Sequence, residues 1–162
     1  MNEAERHSVT VIIDTLGANP AFRKLDDGLF VVKQGSAFVM IHVAPLDGER
    51  AVVRCVAQLV EEAQLERDVA LELLRLNATL RFGAFAFVPE RNVVIFLHSI
   101  LGGATLDRAE LVATVRDVAL IADHYDEAIA AQCGGRLMHD GIEEEALCRA
   151  IAQSPDAFGH EE

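Results

Sequence analysis

Apolar residues recur along the chain with two different spacings, and these spacings predict the order of its helices and strands. Residues 2–17, 66–80 and 107–132 show the three- and four-residue spacing of one helix face. The longest predicted helix is followed by Gly134-Gly135, a typical helix end. Its apolar stripe consists of Leu111, Val115, Val118, Ala122, Tyr125 and Ile129.

Residues 21–60 and 82–101 instead show the two-residue alternation of strands. The pair Asp27-Gly28 predicts a hairpin, with a type I′ turn in which both central residues have positive φ. In the third and fourth predicted strands, both sets of alternating positions are largely apolar. We therefore expect a sheet that is covered on both sides, or one that uses its second face for association.

The predicted order of elements is α-β-β-β-β-α-β-β-α. It lacks the regular strand–helix alternation of a parallel sheet, which favours an α+β fold with an antiparallel sheet. The length of 162 residues fits one domain. We place that domain at 1–135 and predict an acidic C-terminal tail at 136–162, with one short helix at 142–153.

Charge and targeting signals narrow the range of partners. The chain has 26 acidic and 14 basic side chains and a net charge of −12, which opposes binding to nucleic acids and to anionic membranes. An acidic N-terminus without an apolar leader, no long uncharged run and three scattered cysteines predict a cytoplasmic protein with reduced thiols. The acidic tail is expected to aid solubility; alternatively, it engages a basic partner.

The sequence shows few signs of catalytic chemistry. The sequence has no phosphate-binding loop, nucleophile elbow or zinc-helix motif. His124 lies among Asp123, Asp126 and Glu127, but on a helix these side chains point in different directions and do not converge. We therefore expect no enzyme activity, no catalytic residue, no metal site and no cofactor.

Several short segments together resemble a known family. They are Leu73–Asn77, Phe82–Phe87, Val93–His98, Leu106-Asp107, Leu111, Ala122–Asp126 and Gly134-Gly135. This set, spread over about residues 22–135, resembles the core of the YbjN family, which is similar in fold to the class I type III secretion chaperones. The resemblance implies an α+β domain, often dimeric, with a twisted antiparallel sheet flanked by helices. It also implies binding of a peptide or protein partner without turnover.

The resemblance and the strands with apolar residues on both faces together predict a non-enzymatic chaperone-like or adaptor protein that binds a peptide segment of a partner protein. The resemblance further implies a homodimer. The alternative is a regulatory or sensory-transduction domain whose acidic tail engages a basic partner. Asn77 is expected to have a structural role, with its amide satisfying backbone groups where helix passes into strand. The candidate partner-binding or dimer surface consists of Phe38, Met40, Val52, Val56, Phe85 and Phe87. The competing interpretation is that all six belong to the monomer core.

Overall fold

The computed structural model describes residues 1–138 and contains three helices. These are α1 (Glu3–Leu16), α2 (Arg67–Thr79) and α3 (Arg108–Cys133), within a residue or two of the predicted bounds. The helix predicted at 142–153 lies outside the described residues.

The strands are β1 (Phe22–Asp26), β2 (Leu29–Gln34), β3 (Ala37–Pro45), β4 (Ala51–Glu61), β5 (Ala84–Val88), β6 (Val93–Leu101) and β7 (Arg136–Leu137). They form one antiparallel sheet in the order β1-β2-β3-β4-β6-β5, and the short strand β7 pairs with the end of β4. A 3-10 turn, Gly103–Thr105, separates β6 from α3. The α+β class and its antiparallel, helix-flanked sheet are confirmed.

The first hairpin forms where the sequence predicts it, but the expected turn type is wrong. Gly28 has a φ of 80°, whereas Asp27 is not among the described residues with positive φ. A type I′ turn requires positive φ at both positions. The register of β1 against β2 shifts between Lys24 and Asp26, and such a bulge adds the strand twist that a type I′ turn would otherwise accommodate.

The helix ends follow from local side-chain chemistry. Asn2 and Glu5 form a complete capping box at the start of α1, in which the Asn2 side chain accepts from the Glu5 amide at 2.8 Å. Asp107 accepts from the Glu110 amide at the start of α3, also at 2.8 Å. Gly134 ends α3 in the left-handed region, with a φ of 66°.

One face of the sheet, here called the helix face, packs against all three helices. Phe30, Ile41, Val53 and Cys55 point to this side and are at most 1% exposed. The apolar stripe of α3 and the inner side of α1 complete the same cluster, and α2 packs at the β5 end. This is the main hydrophobic core.

The opposite side of the sheet, here called the outer face, carries a second buried cluster. Strand residues Leu29, Met40, Val56, Val93 and Ile95, together with Met138, form it and are at most 8% exposed. Within residues 1–138, no helix contributes a side chain to this cluster. Partly buried residues that pack against it are Leu25, Phe38, Ala86, Val88 and Leu97.

β7 carries the chain from the helix face to the outer face. Leu137 pairs with Val60, which belongs to the helix-face core, and the next residue, Met138, packs in the outer-face cluster. The Met138 amide donates to the Leu59 carbonyl at 3.1 Å. Gly135 makes this passage possible, since a Cβ there would lie 2.6 Å from the Glu61 carbonyl oxygen.

Candidate partner-binding face

The six candidate surface residues divide between the two faces of the sheet. Met40 pairs with Val56, and Val56 with Leu97, so that these three side chains lie together on the outer face. Phe38 and Val52 occupy alternate positions of the same two strands and share that face.

Phe85 and Phe87 lie on the other side. Phe85 pairs with Phe96 in the sheet, is 5% exposed, and makes edge contacts with the rings of Phe96 and Tyr125 at 5.0 and 5.4 Å. Phe87 packs against the same helix-face core. The structure therefore brings together four of the six candidates, Phe38, Met40, Val52 and Val56.

The outer face is deeply buried at its centre and more accessible at its ends. Met40 is 2% exposed and Val56 1%, whereas Phe38 and Val52 are half-buried. The Lys33 ammonium lies 5.4 Å from the centre of the Phe38 ring, within the range of a cation–π contact. Leu101, which pairs with Val52 at the same end of the face, is 53% exposed. Phe38, Val52 and Leu101 are therefore accessible apolar positions of this face.

Most of the charged residues in register with the outer face are basic. Arg23 pairs with Val31, Lys33 with Phe38, and Arg54 with His42. One acidic residue, Asp26, pairs with Leu29 of the same face. Beyond the β4 bulge at 58–60, Glu61 is paired with Arg136 at 2.8 Å. The strands of the outer face therefore carry three basic side chains and one acidic side chain beside the apolar cluster, although the whole protein is acidic.

His42 is the titratable side chain at the middle of this face. Burial lowers the pKa of its imidazole, and the positive charge of Arg54 lowers it further. Its buried Nδ1 has no hydrogen-bond partner in the described part of the chain. Both effects favour the neutral form of this imidazole, which lies in register with Leu29 of the apolar cluster.

Cavities near this face do not resemble an enzyme pocket. A cavity of about 20 Å³ lies between the outer-face residues Phe38, Met40, Val56 and Met138 and two residues of α3, Ala122 and the buried Asp126. Its volume is far below the few hundred Å³ of small-molecule sites. A wide, open cleft of about 430 Å³ lies beside Phe87, and Glu62 is its single charged lining residue. Neither brings together the several titratable groups that acid–base catalysis needs.

Asn77 ties α2 to the edge strand β5, as its position in the sequence predicted. Its side-chain oxygen accepts from the Phe85 amide at 2.7 Å, and its side-chain nitrogen donates to the Phe85 carbonyl at 3.0 Å. The amide therefore takes the place of a neighbouring strand at this residue.

The other candidate reactive side chains are either buried cysteines or groups that contact a neighbouring side chain. Burial raises the pKa of the Cys55 thiol to about 12, and Cys133 is also buried. Asp123 accepts a hydrogen bond from the Ser36 hydroxyl at 2.6 Å, and His124 stacks edge-on against Tyr125. Residues 1–138 contain no group of three or more histidine, cysteine or acidic side chains arranged for a metal. None of the helices in that range is long and apolar enough to span a membrane.

Sequence reasoning missed part of the outer face. Val31, Val93, Ile95 and Leu97 belong to it by register, and the alternation along residues 93–101 carried this signal. Met138 could not be placed from the sequence, because its position depends on two paired residues of β7, a segment too short to show a pattern.

Comparisons with known proteins agree with this architecture. The solved structure of the ExsC–ExsE complex contains a chain that superposes with a TM-score of 0.59 at 18% identity, over 80% of this chain and 97% of that chain. At this identity the match shows a shared fold. No curated protein matches the chain. The family model described as T3SS (YopN, CesT) and YbjN peptide-binding chaperone 1 matches residues 4–141, and the chain belongs to this family of peptide-binding chaperones.

Proposed function

We propose that the protein holds an extended segment of a partner protein on the outer face of its sheet and performs no chemistry on it. The observation that carries this proposal is the apolar cluster around Met40, Val56 and Leu97, to which no helix of residues 1–138 contributes. A sheet face of this kind offers regularly spaced apolar positions to the side chains of a bound segment.

The chemistry of the face suggests what the bound segment contains. Apolar side chains would pack between Phe38 and Val52, the half-buried ends of the face. Carboxylates in the segment would be favoured by Arg23, Lys33 and Arg54, which share this side of the sheet. We therefore infer a client segment with alternating apolar and acidic residues.

Binding without catalysis is supported by the reactivity of the described side chains. The Cys55 thiol is buried and has its pKa raised to about 12, which keeps it protonated and a poor nucleophile. His42, the imidazole on the proposed face, has its pKa lowered by burial. A holding role requires neither group to react.

We further propose that the protein is a cytoplasmic homodimer. Two apolar side chains on the outward side of α2, Leu71 and Leu74, are 50% and 64% exposed, and their spacing of three places them on one helix face. A second copy of the chain would bury them. Free, buried Cys55 and Cys133 support a reducing compartment.

Peptide binding is tested with a probe chosen by selection. Random peptides displayed on phage are panned against the full-length protein, and the best sequence is made as a fluorescent peptide for anisotropy titration. Val52→Asp places a carboxylate on the outer face at a half-buried position, and we expect it to weaken binding at least about tenfold.

The matched control is Leu120→Asp, an exposed position on α3 that is 53% accessible. It adds the same charge away from the outer face, and we expect no change in affinity. Equal affinities for a folded Val52→Asp variant and the wild type would contradict the outer face as the binding site.

The dimer is tested separately by light scattering. The full-length chain should give a mass near twice 17.6 kDa. Leu74→Asp should reduce this to the monomer mass, because it places a charge in the proposed contact. A wild-type monomer would rule out the dimer and leave the peptide-binding proposal untouched.

A further inference from the structure

We propose that residues 139–162 of this chain occupy the outer face themselves and compete there with the client segment. This inference rests on the proposed function, because competition requires that clients bind to the same face. Residues 139–162 would then act as an intramolecular competitor of the client segment.

The first argument is that side chains of the outer face are buried although no helix of residues 1–138 contributes to their cluster. Met40 and Val56 are 2% and 1% exposed, as inaccessible as the core of the helix face. Among residues 1–138, however, the cluster contains strand side chains and Met138 alone. A sheet face built from one layer of strands does not bury itself, so a further segment is needed to cover it.

The second argument is the path of the chain. The described residues end at Met138, whose side chain lies in the outer-face cluster and is 7% exposed. Its amide bond to Leu59 and the pairing of β7 with β4 fix this point. Met138 thus lies on the outer face with Met40 and Val56, and 24 residues of the chain follow it.

The third argument is complementarity between the segment and the face. Residues 139–162 carry seven carboxylates and one arginine, whereas the outer face carries three basic side chains, Arg23, Lys33 and Arg54, and one acidic side chain, Asp26. At about 100° per residue, Ile142, Ala146, Leu147, Ala150 and Ile151 would share one half of a helix. The segment thus has the apolar and acidic chemistry inferred above for a client.

Competition has a quantitative consequence. The apparent affinity for a client is reduced by the fraction of molecules whose face is free. If the segment occupied the face nine-tenths of the time, weakening it would tighten client binding about tenfold. The client would then have to displace the segment to bind.

The first experiment tests occupancy in the full-length protein. The photo-crosslinking residue p-benzoyl-phenylalanine replaces Phe38, half-buried on the outer face, and in a matched control it replaces Phe82, which is 64% exposed and stacks on His98. Mass spectrometry should find cross-links from position 38 to peptides of 139–162, and none from position 82.

Mixing isotope-labelled with unlabelled protein distinguishes cross-links within a chain from those between chains. Links confined to single chains support the proposal. Links between chains, or none to 139–162, would overturn it.

The second experiment measures competition with the phage-selected peptide. The double variant Leu147→Asp/Ile151→Asp adds two charges to the apolar half of the segment and should bind the peptide about tenfold more tightly. The control Cys148→Asp/Ala152→Asp adds the same charge to the opposite half and should bind like the wild type.

The outcomes separate the two proposals. Peptide binding that is equal in all three proteins would overturn the competition and leave the proposed function standing. Absence of peptide binding in every protein, with the cross-links present, would contradict the proposed function, and the competitor role would fail with it.

Discussion

The two faces of the sheet use the same strands but are stabilised in different ways. On the helix face, β-branched and aromatic side chains such as Phe30 and Val53 pack under α1 and α3, with the helices fixed by caps at Asn2 and Asp107. On the outer face, within residues 1–138, the apolar strand side chains pack with one residue from outside the long strands, Met138. This difference supports the proposal that the outer face takes an exchangeable cover, whereas the helix face is a permanent core.

The strongest test of a permanent core is the protection of Cys55 on the helix face. Its thiol is fully buried with a pKa of about 12, so alkylation requires the protein to open. For a domain of ordinary stability, we expect iodoacetamide to react at Cys55 at least about a thousandfold more slowly than in urea. Peptide mapping by mass spectrometry separates Cys55 from Cys133 and Cys148. Rapid labelling in buffer would show that the helix face opens readily.

Neighbouring residues of β3 allow a direct comparison of the faces. Ile41 is fully buried on the helix face, and Met40 is 2% exposed on the outer face. Ile41→Ala should lower the free energy of unfolding by about 2–5 kcal/mol, because the cavity lies between packed elements. Met40→Ala should lose at least about 1 kcal/mol less, since an exchangeable cover collapses more easily around the gap. Urea denaturation measures both, and equal losses would contradict the distinction.

The attachment of α2 to β5 should have an intermediate effect. Asn77→Ala removes both hydrogen bonds to Phe85 and leaves its amide and carbonyl unsatisfied, which should lower the free energy of unfolding by about 1–3 kcal/mol. The control Thr79→Ala removes one exposed hydroxyl bond to the Leu76 carbonyl on the same helix, and should lose less than about 0.5 kcal/mol. Indistinguishable variants would show that Asn77 is not needed to hold β5.

The smallest effect concerns pH and the outer face. Burial lowers the pKa of His42 in the folded protein, whereas the unfolded chain takes up this proton near its ordinary value of 6.5. Below that pH the unfolded state therefore binds more protons than the folded state. The contribution of His42 to the free energy of unfolding should be fully present above about pH 6.5 and should be lost as the pH falls. His42→Gln should flatten this decline between about pH 7 and about pH 5. The exposed His7→Gln serves as the control, and matching slopes for all three proteins would contradict the assignment.

Much of the fold was predictable because local chemistry and packing agree along this chain. The stripe of α3, with Asp107 before it and Gly134 after it, specifies a helix in three independent ways. The alternation in β3 and β4 likewise places Met40 and Val56 on the opposite face from Ile41 and Cys55, and the strand register confirms this. The role of Asn77 followed from its place at the end of a helix before a strand.

The rest depended on interactions between distant segments. Phe85 and Phe87 were grouped with Phe38 as apolar strand residues, but the face to which a strand turns its side chains is set by register, here the pairing of Phe85 with Phe96. The turn at Asp27 differed because a bulge in the adjoining strand changed the required twist. β7 could not be predicted from the sequence, since a strand of two residues shows no periodicity.

The double hydrogen bond from Asn77 to Phe85 also bears on how the protein stays in solution. A protein that offers apolar strands to clients risks adding its own copies strand by strand at an open sheet edge. At the edge strand β5, the side-chain amide of Asn77 satisfies the backbone groups of Phe85. At the other edge, β1 is short, has a bulge and carries Arg23 and Lys24. Edge pairing between copies of the chain is therefore hindered at both ends of the sheet.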